Sequence, residues 1–398
     1  MTRLLVIKLG GSVFADGATM SRCAKLVSRL TRENRVVVVV SAIRGATDEL
    51  IRFSNDICEN PPPELFSQAV AMGERTSARL FSLALTQFGV KNLVVDVDTP
   101  VWPVITDEDY LDATPLPEEC SKRAREKLTP LLEMGVIPVV CGFIGLTLDG
   151  RVTLLGRGGS DTTATLLGGA LGADEVILIK DVDGIYTFDP KQVSGAKPIE
   201  RLTLTELSTL TNSGAKVVHE KSLRYVEGFR LRITSLTYAP DGGTLIYPER
   251  RQGESTKVLD KEITLLSLIG LDGSKSAELL GSIRESGGSP EAYVFNTSSA
   301  RVYATGTISE KAIHSLVAAG IVKAFALKKG LRCVQVSGKG LETEVGVIHR
   351  LVQPLSANGI NIFGLAAIGD VIKIFVADQD AKRALELIEA PRKEVARS

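Results

Sequence analysis

The chain is poor in the residues that build cross-links and metal centres. Five cysteines and three histidines occur in 398 residues. The cysteines (Cys23, Cys58, Cys120, Cys141 and Cys333) are scattered, odd in number and without a Cys-x-x-Cys pair, which argues against a disulfide framework and a zinc site. The histidines lie far apart, so no protein-bound metal is expected. Excess charge of either sign is missing too. Lys plus Arg number 47 and Asp plus Glu number 47, which argues against a basic nucleic-acid binder. The apolar runs fall short of the ~20 residues of a membrane span. Lys8 interrupts the N-terminal run Leu4–Ile7 too early for a signal peptide. A reducing, cytoplasmic setting is expected.

What is present is an ordinary globular composition, 44% hydrophobic and 24% charged. At about 150 residues per domain the length predicts two or three domains. Short β-branched runs recur through the first half: Leu4–Lys8, Val36–Val40, Leu93–Val97, Val136–Cys141 and Val176–Ile179. Runs this apolar fit parallel strands covered on both faces. Helix-length segments lie between them, the clearest being Leu65–Phe88, closed by Gly89. The pattern predicts an open, mostly parallel α/β sheet over residues 1–247. Arg151–Leu155 and the stretch around Phe143 read as a hairpin turning at Asp149-Gly150.

The texture changes after Gly242-Gly243, and the polar stretch Pro248–Glu254 reads as a linker. Two copies of a β-α-β-β-α-β order follow, predicting ferredoxin-like α+β domains at 257–329 and 330–398. The second copy lacks a clear last strand, and Lys257–Leu259 is a candidate to supply it.

Four segments carry candidate chemistry. Lys8-Leu9-Gly10-Gly11-Ser12 ends the first strand: two glycines admit an anion close to backbone N–H groups, and the lysine adds a charge. Gly156-Arg157-Gly158-Gly159-Ser160-Asp161 follows another strand and opens a helix, again as anion-binding architecture. Neither dinucleotide fingerprint applies to it. Lys180-Asp181-Val182-Asp183-Gly184-Ile185-Tyr186 lies after the strand Val176–Ile179, where α/β sheets bind ligands. Gly214-Ala215-Lys216-Val217-Val218-His219 opens a helix. Each segment taken alone also reads as a turn, a capped helix or a core histidine.

Taken in order, these segments resemble the amino-acid kinase superfamily, and within it the aspartate kinases with two C-terminal ACT domains. The resemblance runs through Lys8–Ser12, Ser41–Thr47, Gly73-Glu74, Gly156–Ala164, Asp181–Pro190 and Gly214–His219, and through Gly346–Ile348 and Asn358–Ile362 in the tail. In the kinase segments four residues depart from the family pattern. Leu9 stands where an aromatic residue is usual, Lys180 where a small hydroxyl residue is, Lys191 where arginine is and Glu220 where proline is. These departures bear on nucleotide preference more than on the reaction. In the tail Gly369-Asp370 stands where a Ser-Glu pair is common and Asn296 where an acid is expected.

The resemblance implies transfer of a phosphoryl group from ATP, carried with Mg²⁺, to the side-chain carboxylate of L-aspartate, the first step toward lysine, threonine and methionine. Lys8 would neutralise the transferring group and Asp161 would orient Lys8, with Gly10, Gly11, Ser12, Gly158 and Gly159 cradling phosphate. Ser41, Thr47, Glu74, Arg157 and Ser160 would hold the amino acid. Lys180, Asp181, Tyr186, Lys191, Lys216 and Val217 would line the nucleotide pocket. The tail would form a homodimer or larger assembly and bind an amino-acid effector near Asp272, Ser274, Asn358 and Ile360. A kinase of another small acid, or an amino-acid sensor on an inactive kinase fold, are the competing expectations.

Overall fold

The computed structural model describes residues 2–212, 218–248, 255–271, 273–338, 341 and 346–395. It separates into two compact units, Met1–Arg251 and Gln252–Ser398.

In the first unit the elements run β1 Arg3–Leu9, α1 Gly17–Leu30, β2 Asn34–Val40, α2 Ala46–Ile57, α3 Pro63–Gln87, β3 Asn92–Val95, α4 Pro117–Glu133 and β4 Ile137–Cys141. A hairpin of β5 Ile144–Leu146 and β6 Val152–Leu154 leads into α5 Gly159–Leu171 and β7 Glu175–Lys180. There follow β8 Ile185–Tyr186, β9 Pro198–Ile199, β10 Arg201–Thr203, α6 Leu204–Asn212, the short α7 Glu220–Leu223, β11 Arg230–Ser235 and β12 Thr244–Tyr247. Eight strands form one sheet in the order β10-β12-β11-β7-β1-β2-β4-β3. The pairs from β11 to β3 are parallel, and β12 runs antiparallel to β11. Val36–Val40 and Leu4–Leu9 are buried along their length, which requires cover on both faces. Helices α1 and α3 pack together, as do α4 and α5. The chain leaves β1 toward β2 on one side and returns to β7 on the other, so the sheet reverses its winding at β1/β7. Ligands bind at the carboxyl ends of strands beside such a reversal.

In the second unit β13 Ser255–Val258 and β14 Ile263–Ile269 precede α8 Ser276–Glu285, β15 Gly288–Phe295, β16 Ser299–Gly306 and α9 Glu310–Ala318. Then come β17 Ala324–Ser337, α10 Val347–Ala357, β18 Gly364–Ile368, β19 Val371–Ala377 and α11 Ala381–Val395. Sequence reading expects separate strands at Val322–Leu327 and Leu331–Ser337. The structure has one strand of 14 residues instead. It carries a register shift against β14 between Lys328 and Leu331, where Gly330 takes φ 77°. The first half of β17 completes the order β15-β16-β14-β17, and its second half begins β18-β19-β17-β13. Both are ferredoxin-like. The last strand of the second copy is β13, which precedes the first copy in sequence.

This sheet curls so that its two halves face each other, though among the described residues its end strands β15 and β18 do not pair. Four strand spacings of about 4.8 Å separate β15 from β19 in the order, so a flat sheet would hold them ~19 Å apart. Yet Lys373 Nζ on β19 lies 2.8 Å from the Glu291 carboxylate on β15. Tyr303 stacks on Phe375 at 4.1 Å between ring centroids, and its hydroxyl donates to the Phe363 carbonyl at 2.8 Å. The two halves therefore face one another across a small core of Ile263, Leu265, Tyr303, Leu331, Cys333 and Phe375. Larger cores lie under α8 and α9 and under α10 and α11. No described helix is long and apolar enough to cross a membrane.

Candidate active site

The carboxyl ends of β1, β2, β4 and β7 open on a cleft of about 510 Å³. Its walls include Lys8, Gly11, Ser12, Ser41, Thr47, Glu74, Gly158, Gly159, Ser160, Asp161 and Asp181. Segments far apart in sequence thus meet at one place, most of them at the end of a parallel strand or the start of α5, with Glu74 reaching in from the middle of α3.

Lys8 is the penultimate residue of β1 and is 7% exposed. After it the chain turns: the Gly10 N–H donates to the Ile179 carbonyl of β7 at 3.1 Å. Asp161 lies in the first turn of α5 and is also buried. Gly158 caps that helix with φ 72°, and a side chain there would run into His219. The amino end of α5 is thereby set at the cleft, with its N–H groups aimed toward an anion. Asp161 Oδ1 lies 2.7 Å from Lys8 Nζ, and Oδ2 lies 2.7 Å from Lys180 Nζ. Burial opposes ionisation of Asp161, but the two ammonium groups outweigh it and hold the carboxyl well below its usual range. Burial lowers the Lys8 ammonium, Asp161 counters this, and Lys180 adds to it.

Glu74 sits in α3 and reaches the cleft because Gly73 lets the helix close on the loop after β2. A Cβ at Gly73 would lie 2.9 Å from that of Ala42. The Ala42 N–H donates to Glu74 Oε1 at 3.1 Å, while buried Oε2 has no hydrogen-bond partner. Burial pushes this carboxyl up to about 7, against the pull of the Ala42 N–H and of Lys8. A buried carboxyl oxygen without a hydrogen-bond partner, on a residue lining the cleft, is a costly feature that a bound cation would relieve.

Other expected site residues fall elsewhere. Arg157 is exposed and lies between two wall residues, Gly156 and Gly158, without itself lining the cleft. Lys180 pairs with Asp161 Oδ2 at 2.7 Å and does not line the cleft. Tyr186 lines a separate cavity of about 540 Å³ with Asp183, Arg201 and Tyr238. Lys191 is exposed in a turn where its N–H donates to Asp189 Oδ1 at 2.9 Å. Lys216 and Val217 lie outside the described residues, as do Asp272 and most of the linker at 248–254. In the second unit Ser274 belongs to a 3-10 turn, and Asn358 ends α10, accepting a hydrogen bond from Arg383 at 3.2 Å. Ile360 is buried in the core beside α10 and α11.

Arg44, Asp48 and Phe143 are among the wall residues that escape sequence reading. Arg44 donates from its guanidinium to the Ser12 carbonyl, tying the glycine turn to the loop after β2. It occupies a variable position inside Ser41–Thr47, so the motif gives it no signal. Asp48 adjoins Thr47 without being part of that motif. Phe143 adopts φ 68°, rare for a bulky residue, with its N–H held by Thr163 Oγ1 at 3.1 Å. Among the described residues no group of three or more His, Cys, Asp and Glu side chains is placed to hold a metal ion.

The profile described as the amino acid kinase family matches residues 3–235, and one described as an ACT domain matches 326–390. An aspartokinase of Rickettsia prowazekii is 34% identical over 251 residues, covering 61% of this chain and 54% of that one. That match spans about half of its relative. A second, to the aspartokinase of Thermus thermophilus, is 28% identical and covers 97% of both chains. Among solved structures, E. coli aspartokinase III in complex with aspartate and ADP aligns over 97% of this chain and 99% of that one, with TM-score 0.57 and 25% identity. With its strand-end cleft, its matched kinase unit and the ACT-type sheet that follows, the chain belongs to the amino acid kinase family, in the two-part arrangement of the aspartokinases.

Proposed function

We propose that the chain is an aspartate kinase, transferring the terminal phosphoryl group of ATP to the side-chain carboxylate of L-aspartate. The observation that carries this reading is the buried Lys8–Asp161 pair facing Glu74 across one cleft. It couples a phosphate-type cation to an unfilled carboxylate suited to a substrate ammonium. The named relatives supply the substrate.

The reaction makes modest demands. The aspartate side chain, with a pKa near ~3.9, is ionised at neutral pH and needs no general base. One of its oxygens attacks the γ-phosphorus, and the bond from that phosphorus to the β,γ-bridging oxygen breaks. ADP leaves with the electron pair. What the protein supplies is alignment and charge neutralisation. Lys8 meets the transferring group. The turn Gly10-Gly11-Ser12 and the amino end of α5 at Gly158 and Gly159 offer N–H groups to phosphate oxygens. Glu74 takes the substrate ammonium, with Ser41, Thr47 and Ser160 beside it. Arg157, on a mobile-length side chain at the lip, takes the α-carboxylate as a planar fork. Asp181 faces the nucleotide from the cleft. Magnesium enters as part of the substrate, on the phosphates of ATP. The ACT unit takes an amino-acid effector and joins protomers through its edge strands. Exposed Tyr293 and Val294 on edge strand β15 support that assembly. The setting is cytoplasmic.

A coupled ADP-release assay with L-aspartate, L-glutamate, N-acetyl-L-glutamate, uridylate and isopentenyl phosphate tests the reading. Turnover with L-aspartate alone is expected. Preference for another acid moves the substrate, and no turnover with any of them identifies an amino-acid sensor.

A further inference from the structure

Lys180 is the last residue of β7, the strand beside β1 at the reversal of the sheet. Its ammonium takes one oxygen of Asp161 and Lys8 takes the other, each at 2.7 Å. The three side chains are 17%, 9% and 5% exposed for Lys180, Lys8 and Asp161. Lys8 and Asp161 line the cleft and Lys180 does not. The second lysine thus holds the carboxylate without itself lining the cleft.

That placement has an electrostatic consequence. Lys8 and Asp161 alone would form a neutral pair, and an incoming phosphate would compete with Asp161 for Lys8. A carboxylate with one partner could also swing both oxygens onto it. With Lys180 on the other oxygen the carboxylate is held at both ends and the trio carries one net positive charge. Of its two ammonium groups, Lys8 is the one that lines the cleft. In so enclosed a site such a charge is weakly screened.

We propose that Lys180 is a positioning residue for the nucleotide phosphates. By occupying the second oxygen of Asp161 it fixes that carboxylate and leaves Lys8 able to engage phosphate. The proposal rests on the reading of the cleft as a phosphoryl-transfer site. It assigns Lys180 no contact with the nucleotide.

The test compares full-length wild type with Lys180→Met, which keeps length and loses charge, and with Lys180→Arg. Calorimetry with MgADP and steady-state kinetics are the measurements. Lys180→Met is expected to weaken ADP binding and raise the ATP KM by on the order of ten- to a hundredfold, the cost typical of losing a group that orients a ligand from behind. The aspartate KM stays near wild type. The alkaline limb of the pH–rate profile moves to higher pH, because a cation repelling the Lys8 ammonium has gone. Asp161 and Glu74, the other charged groups acting on Lys8, remain in place, as do Arg44, Asp48 and Asp181 in the cleft walls. Lys180→Arg restores both quantities. Wild-type ADP affinity in a folded Lys180→Met protein overturns the proposal, as does an unmoved alkaline limb. If Lys180→Met fails to fold, Lys180→Gln replaces it in the same comparison. A wild-type protein that binds ADP but phosphorylates no acid removes the aspartate reading, and the ADP comparison still decides the role of Lys180.

Discussion

Asp161 and Glu74 are both buried carboxyl groups in one cleft, and their surroundings push them in opposite directions. Asp161 meets two ammonium groups and stays ionised, while Glu74 has only an N–H donor and a more distant lysine. At a value near 7, Glu74 changes charge within the working pH range. Its ionised form is the one that receives an ammonium. The kcat/KM for aspartate should therefore fall as pH drops below about 7, and Glu74→Gln should lack this acid limb while losing most of its aspartate affinity. A persistent acid limb in Glu74→Gln would assign it to another group. The same shift has a stability consequence of definite sign. A carboxyl raised in the folded state, from 4.5 to about 7, burdens the fold above the folded value and not below the unfolded one. The difference corresponds to on the order of 3 kcal/mol. Glu74→Gln should thus melt higher than wild type at pH 8, with the gap closing toward pH 4. Arg157 makes a second test. Lysine keeps the charge but not the fork, so Arg157→Lys should raise the aspartate KM far more than the ATP KM. The reverse pattern would place Arg157 on the nucleotide side.

Among elements, α3 shows how a helix is seated for function. Its 25 residues run past the ends of several strands, and Gly73 marks where it touches the loop after β2. Gly73→Ala gains about 1 kcal/mol of helix propensity. It also inserts a methyl group 2.9 Å from the Ala42 Cβ, and overpacking of this kind costs ~1–3 kcal/mol. The two effects nearly offset in stability, but the displacement falls on the Ala42–Glu74 hydrogen bond. The expected result is a melting temperature within a few degrees of wild type and an aspartate KM raised roughly tenfold, since a charge-assisted hydrogen bond is worth about 1.5–3 kcal/mol. Equal losses for aspartate and ATP would show a general distortion instead. Lys221 seats a second element. Its ammonium donates to the carbonyls of Asp112, Ala113 and Leu155 and to the Asp112 carboxylate, between 2.7 and 3.1 Å. It thus joins the start of α7 to the strand end that feeds the Gly156–Gly159 turn.

On the scale of the whole molecule, the kinase motifs and the ACT-type sheet lie in separate compact units. An effector bound to the second unit acts on the first only through a coupling free energy, typically about 1–3 kcal/mol. A scan of the twenty standard amino acids against the intact enzyme is expected to find one whose inhibition shifts aspartate affinity by that amount. Asn358 is the point to alter. Its side chain accepts from Arg383 of α11 and donates to the Pro354 carbonyl of α10 at 2.9 Å, so it braces the two helices of the second copy. Asn358→Ala should weaken inhibition and leave uninhibited turnover unchanged. Absence of inhibition by all twenty amino acids would make this unit an assembly element alone.

Five strands of the main sheet, β1, β2, β3, β4 and β7, were legible in the chain because runs of β-branched residues have few other solutions, whereas β10, β11 and β12 mix polar with apolar residues and left no such mark. The site motifs left a weaker mark: glycines and charged residues at strand ends fit anion binding but also fit plain turns and caps, and it was their order along the chain, resembling the amino-acid kinases, that assigned them roles. The helix-strand order of the second unit followed from periodicity, and so did the shortage of a final strand in its second copy. Tertiary structure decided the rest. Nothing local to Lys180 shows that it pairs with Asp161; that depends on β7 lying beside β1 and on where α5 begins. Arg44 and Phe143 enter the cleft through backbone turns whose course is set by neighbouring strands. The single strand Ala324–Ser337, its bulge at Gly330 and the face-to-face packing of Tyr303 on Phe375 arise from pairing between residues tens of positions apart. Residue type and spacing encode what a segment buries and how it turns. Which side chains share a carboxylate is settled only when the segments are brought together.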